Sequence, residues 1–227
     1  MVTSIQHGET MKRRVAVLIS GRGSNMAALI QAAAAEDFPA RIVVVVSNRS
    51  DAGGLETAKA SGVPTVTIES KPFGKDRSAF EAVLQSALER HQVDLICLGG
   101  FMRLFTAGFV QRWYGRMINI HPSLLPSFPG LDPQGQALRA GVKISGATVH
   151  FVIPETDAGP ILMQGAVAVC DDDTPETLAQ RILEIEHRIY PDALRLLAAG
   201  QLRLEGDLCR TSAKAYPDGT LISPAAG

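Results

Sequence analysis

A run of apolar residues that leads straight into a glycine loop constrains the fold of this chain more than any other feature. Residues 14–19 (RVAVLI) have the composition of a buried strand, and residues 20–25 (SGRGSN) follow without a break. Apolar residues then recur at helical spacing, at Met26, Leu29, Ile30 and Ala33. A strand, a glycine loop and a helix in this order predict the first unit of a parallel α/β sheet.

The residues of the glycine loop leave two interpretations open. Glycines let backbone N–H groups approach a ligand, and a helix N-terminus favours a phosphate, with Ser24 or Asn25 as the expected N-cap. The same loop is also an ordinary tight turn of an α/β fold. Its spacing, Gly21-x-Gly23, has no third glycine and no P-loop lysine, so a phosphate monoester fits better than a pyrophosphate.

Strands and helices continue to alternate along the chain. Further strands are predicted at residues 41–47, 63–68, 93–98 and 117–121, with helical patterns between them. After residue 130 two strands, at 147–152 and 161–169, are separated by a short turn and predict an antiparallel pair. We therefore predict a doubly wound, mostly parallel, Rossmann-like sheet with an antiparallel C-terminal strand pair and a long C-terminal helix.

The C-terminal helix has clear start and stop signals. Thr174 is the expected cap, Gly200 the expected end, and Pro191 is expected to kink or break the helix. Residues 202–204 and 208–210 predict a small hairpin. These boundaries predict a single domain over residues 13–211, a disordered extension over 1–12 and a flexible tail over 212–227.

Charge and cysteine content argue against several functional classes. The 227 residues carry a net charge of −1, which offers no basic surface to nucleic acid, and the longest apolar runs are too short to span a membrane. Three scattered cysteines make no disulfide framework, and no His, Cys or carboxylate cluster has metal-ligand spacing. We therefore expect a cytoplasmic protein with no metal, no nucleic-acid partner and no membrane partner.

Two polar residues share one face of the strand at 117–121. Side chains alternate along a strand, so Asn119 and His121 point to one side while Ile118 and Ile120 point into a core. Pro122 keeps His121 itself extended and prevents a helix from starting there. A lone histidine is often structural, but an amide beside an imidazole at a strand end can stabilise an oxyanion and move a proton.

Other polar candidates each have a structural alternative. Asp157 either stabilises its own turn or lies near His121 and stabilises the protonated imidazole. Arg77 is either a solvated charge or an anion contact, and residues 101–105 either wall a flat ligand or belong to the core. His150 is interpreted as a satisfied, half-buried residue of a strand.

Four segments together resemble the folate-dependent phosphoribosylglycinamide formyltransferase family. They are residues 19–25 (ISGRGSN), 100–104 (GFMRL), 118–130 (INIHPSLLPSFPG) and 157–160 (DAGP). The resemblance covers residues 14–208. It implies the formyltransferase fold, 10-formyltetrahydrofolate as co-substrate, and transfer of its formyl group to the glycinamide amine.

The resemblance also implies roles for individual residues. Asn119 and His121 stabilise the oxyanion and assist proton transfer, and Asp157 supports His121. Gly23, Ser24 and Asn25 hold the substrate phosphate, and Glu186 contacts the glycinamide. The folate is contacted by Arg77, Met102, Arg103, Leu104, Phe105, Asn119, Ile153 and Asp157, and the loop 153–157 closes on its pterin ring. A cis peptide is expected between Leu125 and Pro126.

Two departures from the family pattern qualify this picture. Leu183 stands where relatives often carry a polar residue, and the loop 130–136, an expected mobile lid, lacks the family's histidines. The alternatives are a formyltetrahydrofolate hydrolase, another folate-dependent formyltransferase such as one acting on methionyl-tRNA, and a non-enzymatic nucleotide-binding module. A monomer and a homodimer are equally compatible with the sequence.

Overall fold

The computed structural model describes residues 12–212 and 222–223. Its main sheet has eight strands in the order β10-β7-β6-β5-β4-β1-β2-β3, and β8 and β9 form a separate antiparallel pair. The strands are β1 Arg13–Ile19, β2 Ala40–Ser47, β3 Thr65–Thr67, β4 Leu95–Leu98, β5 Met117–His121, β6 Ile144–Phe151, β7 Ile161–Ala168, β8 Leu202–Glu205, β9 Leu208–Thr211 and β10 Ile222–Ser223. The helices are α1 Ser24–Ala33, α2 Gly54–Ala60, α3 Arg77–Arg90, α4 Ala107–Arg112, α5 Pro133–Ala140 and α6 Pro175–Ala198.

Strands β1 to β5 run parallel to one another, whereas β6, β7 and β10 each run antiparallel to the strand with which they pair. β1 lies between β2 and β4, and β5 pairs with β4, all in parallel. β6 then pairs with β5, β7 with β6, and β10 with β7, each in antiparallel orientation. The predicted mostly parallel sheet with an antiparallel C-terminal pair is confirmed. The carboxyl ends of the parallel strands share one edge, where such sheets bind ligands.

Two strands begin later than the sequence predicts, and for the same reason. The N–H of Val63 donates to Ala58 O, and the N–H of Val93 donates to Leu88 O. Both residues therefore close the preceding helix rather than join the sheet. As a result β3 begins at Thr65 and β4 at Leu95.

The sheet separates two apolar cores. One core lies against α1 and α6 and includes Ile118 and Ile120, while the other lies against α3 and α4 and includes Met117. The expected alternation along β5 is confirmed, because Ile118 and Ile120 lie in one core while Met117, which shares a face with Asn119 and His121, lies in the other. The strand is thus anchored by apolar side chains and presents its two polar ones together.

The predicted N-cap of α1 is wrong, and the break expected at Pro191 does not occur. Gly23, and neither Ser24 nor Asn25, is the N-cap of α1; its left-handed backbone (φ 73°) suits glycine, and a Cβ there would lie 3.0 Å from Gly54 Cα. Pro191 does not break α6, which is continuous through it. Proline removes one backbone hydrogen bond, to the His187 carbonyl, but buried residues on either side hold the helix on the sheet.

The C-terminal elements follow the remaining expectations. Thr174 and Thr177 form a reciprocal cap at the start of α6, and the N–H of Gly200 closes its end on Leu197 O. The predicted hairpin is confirmed as β8 and β9. Residues 222–223, which belong to the predicted flexible tail, pair with β7. The expected N-terminal extension lies outside the described residues, except for residue 12.

Candidate active site

His121 lies at the end of β5 with an oxygen acceptor near each ring nitrogen. Its Nε2 is 3.0 Å from Phe128 O, and its Nδ1 is 3.4 Å from Asp157 Oδ2. The side chains of His121 and Asp157 are 8% and 9% exposed, so water competes little for these contacts. An imidazolium carries a proton on both nitrogens, and the site therefore offers a partner for each proton.

Asp157 is held on its other side by the backbone. The N–H of Gly130 donates to Asp157 Oδ2 over 2.9 Å, so one carboxylate oxygen receives both the loop and the imidazole. This contact joins the turn after β6 to the loop after β5. Asn119, His121 and Asp157, which were predicted to act together, are thereby brought into one cluster.

His150 completes this cluster and was not identified from the sequence. It is 3% exposed and lies opposite Asn119 in the β5–β6 register. Its Nδ1 faces Phe151 O at 2.9 Å and its Nε2 faces Asn119 Nδ2 at 3.3 Å. Burial lowers the pKa of His150 below its usual value, which favours the neutral ring.

A neutral His150 orients the amide of Asn119. Because Nδ1 faces a carbonyl, it carries the proton, and Nε2 accepts from Asn119 Nδ2. The second hydrogen of that amide nitrogen remains available to a reacting oxygen. The signal in the sequence was the alternation of Thr148 and His150, which matches that of Asn119 and His121 on the neighbouring strand.

A cavity of about 840 Å³ opens at the same edge of the sheet. The cavity is lined by the glycine loop before α1 and by the segments that follow β2, β3 and β4. The lining residues are Ser20–Asn25, Asn48–Asp51, Glu69–Lys71, Gly99, Gly100 and Met102. Its lining does not include the His121 cluster, which lies at the end of the adjacent strand β5. Gly23, Ser24 and Asn25 thus line this cavity, as expected of a ligand site.

Asn25 joins the glycine loop to α6. Its Nδ2 donates to Glu186 Oε2 over 2.8 Å, while its Oδ1 is buried without a partner. Burial raises the pKa of Glu186 to about 7, and the hydrogen bond from Asn25 opposes that shift. A buried carboxyl beside an unpaired amide oxygen suits a ligand that brings hydrogen-bond donors.

Replacing Glu186 with Gln should stabilise the unliganded protein at alkaline pH. Folded Glu186 keeps its proton up to about pH 7, whereas the carboxyl in the unfolded chain loses it near 4.5, so stability falls as the pH rises between these values. We expect Glu186→Gln to raise the free energy of unfolding by up to about 3 kcal/mol at pH 8 and by little at pH 4.5. Urea denaturation at both pH values measures this.

The matched control for this substitution is Glu184→Gln. Glu184 is exposed on the same helix, so its replacement should leave the unfolding free energy nearly unchanged at both pH values. Equal behaviour of the two variants at pH 8 would contradict a destabilising buried charge at position 186.

Residues 101–105, which follow β4, include both core residues and exposed residues that can contact a ligand. Phe101, Phe105 and Phe109 form a stack with centroid separations of 5.4 and 4.7 Å, so part of the segment belongs to the core. Met102 and Leu104 are 75% and 57% exposed and can wall a ligand.

The basic residues near this wall differ in how firmly they are held. The guanidinium of Arg103 lies 4.6 Å from the centre of the Phe80 ring and donates to Gly74 O, whereas Arg77 is exposed in the first turn of α3. Ile153 is half-buried, two residues beyond the end of β6. The fixed guanidinium of Arg103 therefore leaves Arg77 as the more available cation for a ligand.

A buried hydrogen-bond chain fixes the start of this wall. Ser20 Oγ donates to Asn48 Oδ1 over 2.6 Å and accepts from the Met102 N–H over 2.8 Å. Asn48 Nδ2 in turn donates to Ser70 Oγ over 3.3 Å. The ends of β1 and β2 and the segments after β3 and β4 are therefore tied together around the cavity.

The loop at 130–136 has its own internal support. Asp132 caps α5 through the N–H of Gly135, and Gln136 donates to Pro129 O and Leu131 O. The expected mobile lid stays a prediction. The expected cis peptide between Leu125 and Pro126 is confirmed.

Tyr190 links α6 to the strands that carry the site. It is fully buried, and its hydroxyl contacts Leu98 O at 3.0 Å and Ile118 O at 3.2 Å. These carbonyls precede Gly99 and Asn119. The C-terminal helix therefore contributes to the position of both the glycine pair after β4 and the amide on β5.

The described residues offer neither a metal site nor a membrane-spanning helix. Within residues 12–212, no group of three or more His, Cys, Asp or Glu side chains is placed to hold a metal ion. Of the helices that the structure describes, none is both long and apolar enough to cross a bilayer.

Comparison with known proteins gives one family. Residues 13–194 match the model of the formyl transferase family. The chain is 42% identical to the phosphoribosylglycinamide formyltransferase of Bacillus subtilis (strain 168), over 82% of this chain and 94% of that protein. It is 48% identical to the trifunctional purine biosynthetic protein adenosine-3 of Bos taurus over 87% of this chain, but spans only 20% of that longer protein.

Solved structures agree with the sequence matches. Glycinamide ribonucleotide transformylase 1 from Symbiobacterium toebii has a TM-score of 0.87 at 45% identity, covering 92% of this chain and 98% of that one. A formyltetrahydrofolate deformylase from Pseudomonas syringae pv. tomato str. DC3000 has a TM-score of 0.82 at 27% identity, covering 88% of this chain and 66% of that one. By the match over residues 13–194 and these relatives, the chain belongs to the formyl transferase family.

Proposed function

We propose that this protein transfers a formyl group from 10-formyltetrahydrofolate to the amine of 5-phosphoribosylglycinamide. The products are formylglycinamide ribonucleotide and tetrahydrofolate, in the synthesis of purine nucleotides. The observation that supports this proposal most strongly is that two sites lie side by side at one edge of the sheet. The cluster of Asn119, His121 and Asp157 ends β5, and the glycine-loop cavity adjoins β4 beside it.

The chemistry follows from the positions of the polar groups. The substrate amine attacks the formyl carbon, and the carbonyl oxygen becomes an oxyanion in a tetrahedral intermediate. The free N–H of Asn119 donates to that oxygen. The positive charge of the protonated His121 ring, whose two N–H groups face Phe128 O and Asp157, stabilises the oxygen through space. The bond from the formyl carbon to the folate nitrogen then breaks, and a proton released by the amine reaches that nitrogen through His121.

Asp157 supports the charged form of His121 throughout this sequence. Its carboxylate is buried beside the imidazole, so the pair attracts more strongly than it would in water. The Gly130 N–H fixes the carboxylate oxygen that faces the ring. A neutral residue at position 157 would leave the imidazolium without this support.

The phosphate of the substrate binds at the N-terminus of α1. Gly23, Ser24 and Asn25 offer backbone N–H groups there, and the first turn of α1 contains no acidic residue that would repel an anion. Hydroxyl or amine donors of the same substrate satisfy Glu186 and the unpaired Asn25 Oδ1. Leu183 supplies no polar contact to this ligand, so the phosphate depends on the helix N-terminus.

The folate binds across the wall formed by residues 101–105. Met102 and Leu104 provide exposed apolar surface for its rings, and Arg77 provides a cation for its carboxylates. Arg103 and Phe105 support this wall from beneath, and Ile153 and Asp157 bound the site from the turn after β6. The partners are therefore small molecules, and the protein acts in the cytoplasm as a monomer or homodimer.

A formyltetrahydrofolate hydrolase is the second candidate, because the deformylase from Pseudomonas syringae shares this fold. Water would then replace the amine as the attacking group. The glycine-loop cavity and the Asn25–Glu186 pair favour transfer over hydrolysis, since water as the attacking group gives them no ligand to hold.

Formyl transfer itself is the decisive measurement. Purified protein is mixed with 10-formyltetrahydrofolate, with and without 5-phosphoribosylglycinamide, and the folate product is followed by absorbance. We expect turnover only with the acceptor present. Folate breakdown without the acceptor would establish the hydrolase instead, and no turnover from folded protein would favour a binding module.

A further inference from the structure

Both acceptors of His121 are presented by residues with unusual backbone conformations. Phe128 has φ 56° and Asp157 has φ 54°, in the left-handed region that non-glycine residues rarely adopt. For a bulky residue such as Phe128 this conformation costs free energy and persists only where the surroundings enforce it. The Phe128 carbonyl therefore faces His121 because other contacts hold the loop.

Those contacts begin with a row of three side chains across the sheet. His121 on β5 pairs with Thr148 on β6, and Thr148 pairs with Gln164 on β7. Residues paired in this way point to the same face of a sheet and lie close together. Thr148 is completely buried, while Gln164 is half-buried at the outer end of the row.

The hydroxyl of Thr148 is fully used within this row. It donates to Ser123 O over 2.7 Å and accepts from the Leu125 N–H over 3.0 Å and from Gln164 Nε2 over 2.9 Å. One donor and two acceptor positions exhaust the capacity of a hydroxyl. Thr148 thus holds two points of the loop that follows His121.

Gln164 also makes a direct hydrogen bond to the loop that follows His121. Its Nε2 also donates to Leu125 O over 2.9 Å, so both hydrogens of the amide are committed. A flipped amide would place its oxygen against the Leu125 carbonyl, which fixes the orientation of the side chain. Ser123 Oγ continues the chain of contacts to Ser127 O, the carbonyl next to Phe128.

We propose that Gln164 is a positioning residue for His121, acting through Thr148 and the loop at 123–128 to hold the Phe128 carbonyl against His121 Nε2. Of the two tests below, only the rate measurement depends on the proposed formyl transfer. Gln164 touches neither substrate nor the reacting atoms. The ionisable groups that face His121 are Asp157 and His150, and neither contacts Gln164 among the described residues.

The first test replaces Gln164 with Met, which keeps its length and removes both donors. We expect kcat for formyl transfer to fall about 10- to 100-fold, the range for misplacement of a catalytic group, with KM for both substrates within about twofold. The matched control is Gln85→Met. Gln85 is also half-buried, and its replacement removes the acceptor of a hydrogen bond from Trp113 Nε1. It lies on α3, outside this row.

The second readout is independent of activity. The ring nitrogens of His121 are observed by NMR in ¹⁵N-histidine-labelled protein, with His121→Gln used for assignment. We expect the Nε2 resonance of His121 to shift in Gln164→Met, because Nε2 loses the fixed carbonyl of Phe128 as its partner, and to stay unchanged in Gln85→Met. Wild-type protein that transfers no formyl group would refute the proposed function while this resonance still tested the positioning role.

Three further variants distinguish the positioning role from misfolding. Gln164→Leu also lacks both donors, so it should reproduce the shift of the His121 Nε2 resonance. Thr148→Val should act in the same direction, and Thr148→Ser, which keeps the hydroxyl, should restore most of kcat. An unchanged His121 Nε2 resonance in both Gln164 variants, with kcat no lower than in Gln85→Met, would overturn the proposal.

Discussion

His121→Ala is expected to reduce kcat for formyl transfer by about 10²- to 10⁴-fold, the usual range for a general acid–base group that also stabilises charge. The substitution removes the positive charge that we propose stabilises the oxyanion, but leaves the glycine-loop cavity and the Asn25–Glu186 pair intact. KM for 5-phosphoribosylglycinamide should therefore change little. Steady-state kinetics with each substrate varied in turn separates the two constants.

The control for this variant is His91→Ala. His91 caps the C-terminus of α3, at the sheet edge opposite the site, and only its backbone oxygen contacts Arg14. Its replacement should leave kcat unchanged. If His121→Ala, folded by circular dichroism, retained wild-type kcat, the catalytic role of the β5 cluster would be refuted.

Asp157→Asn is expected to lower kcat by about 10²- to 10³-fold, as when one electrostatic partner is removed from a buried reaction centre. Asparagine tolerates the left-handed backbone at this position, and its amide oxygen can still accept from the Gly130 N–H. The variant therefore removes the negative charge beside His121 and preserves the turn. Single-turnover measurement of formyl transfer isolates this effect on the chemical step.

Asp207→Asn is the matched control for Asp157→Asn, because Asp207 is exposed in the turn between β8 and β9. A kcat for Asp157→Asn as high as that for Asp207→Asn would contradict the support we assign to Asp157.

Features encoded within a short stretch could be predicted from the sequence. The run at 14–19 and its glycine loop predicted the parallel sheet, and the alternation around Asn119 and His121 predicted a shared polar face. Each depends on side-chain periodicity, which neighbouring residues determine. The predicted N-cap of α1 was wrong because Gly23, in a left-handed conformation, takes the place of the usual side-chain cap.

Features that depend on pairing between distant strands could not be predicted. His150 joins the site because β6 pairs with β5 in one particular register, and the neighbouring β6–β7 register shifts between Val149 and His150. The acceptor of His121 Nε2 is a backbone carbonyl, which has no signature in side-chain pattern. The chain of Ser20, Asn48 and Ser70 joins segments that only the sheet order brings together.

The contact of Tyr190 with Leu98 O and Ile118 O has a consequence for the order in which a newly synthesised chain can fold. Both carbonyls lie in the first 118 residues, yet their hydroxyl partner is made only after residue 189. A nascent chain that ends before α6 would lack this hydroxyl donor and the apolar face that α6 adds to the core containing Ile118 and Ile120. The packing around β5 is therefore complete only when the last long helix has left the ribosome.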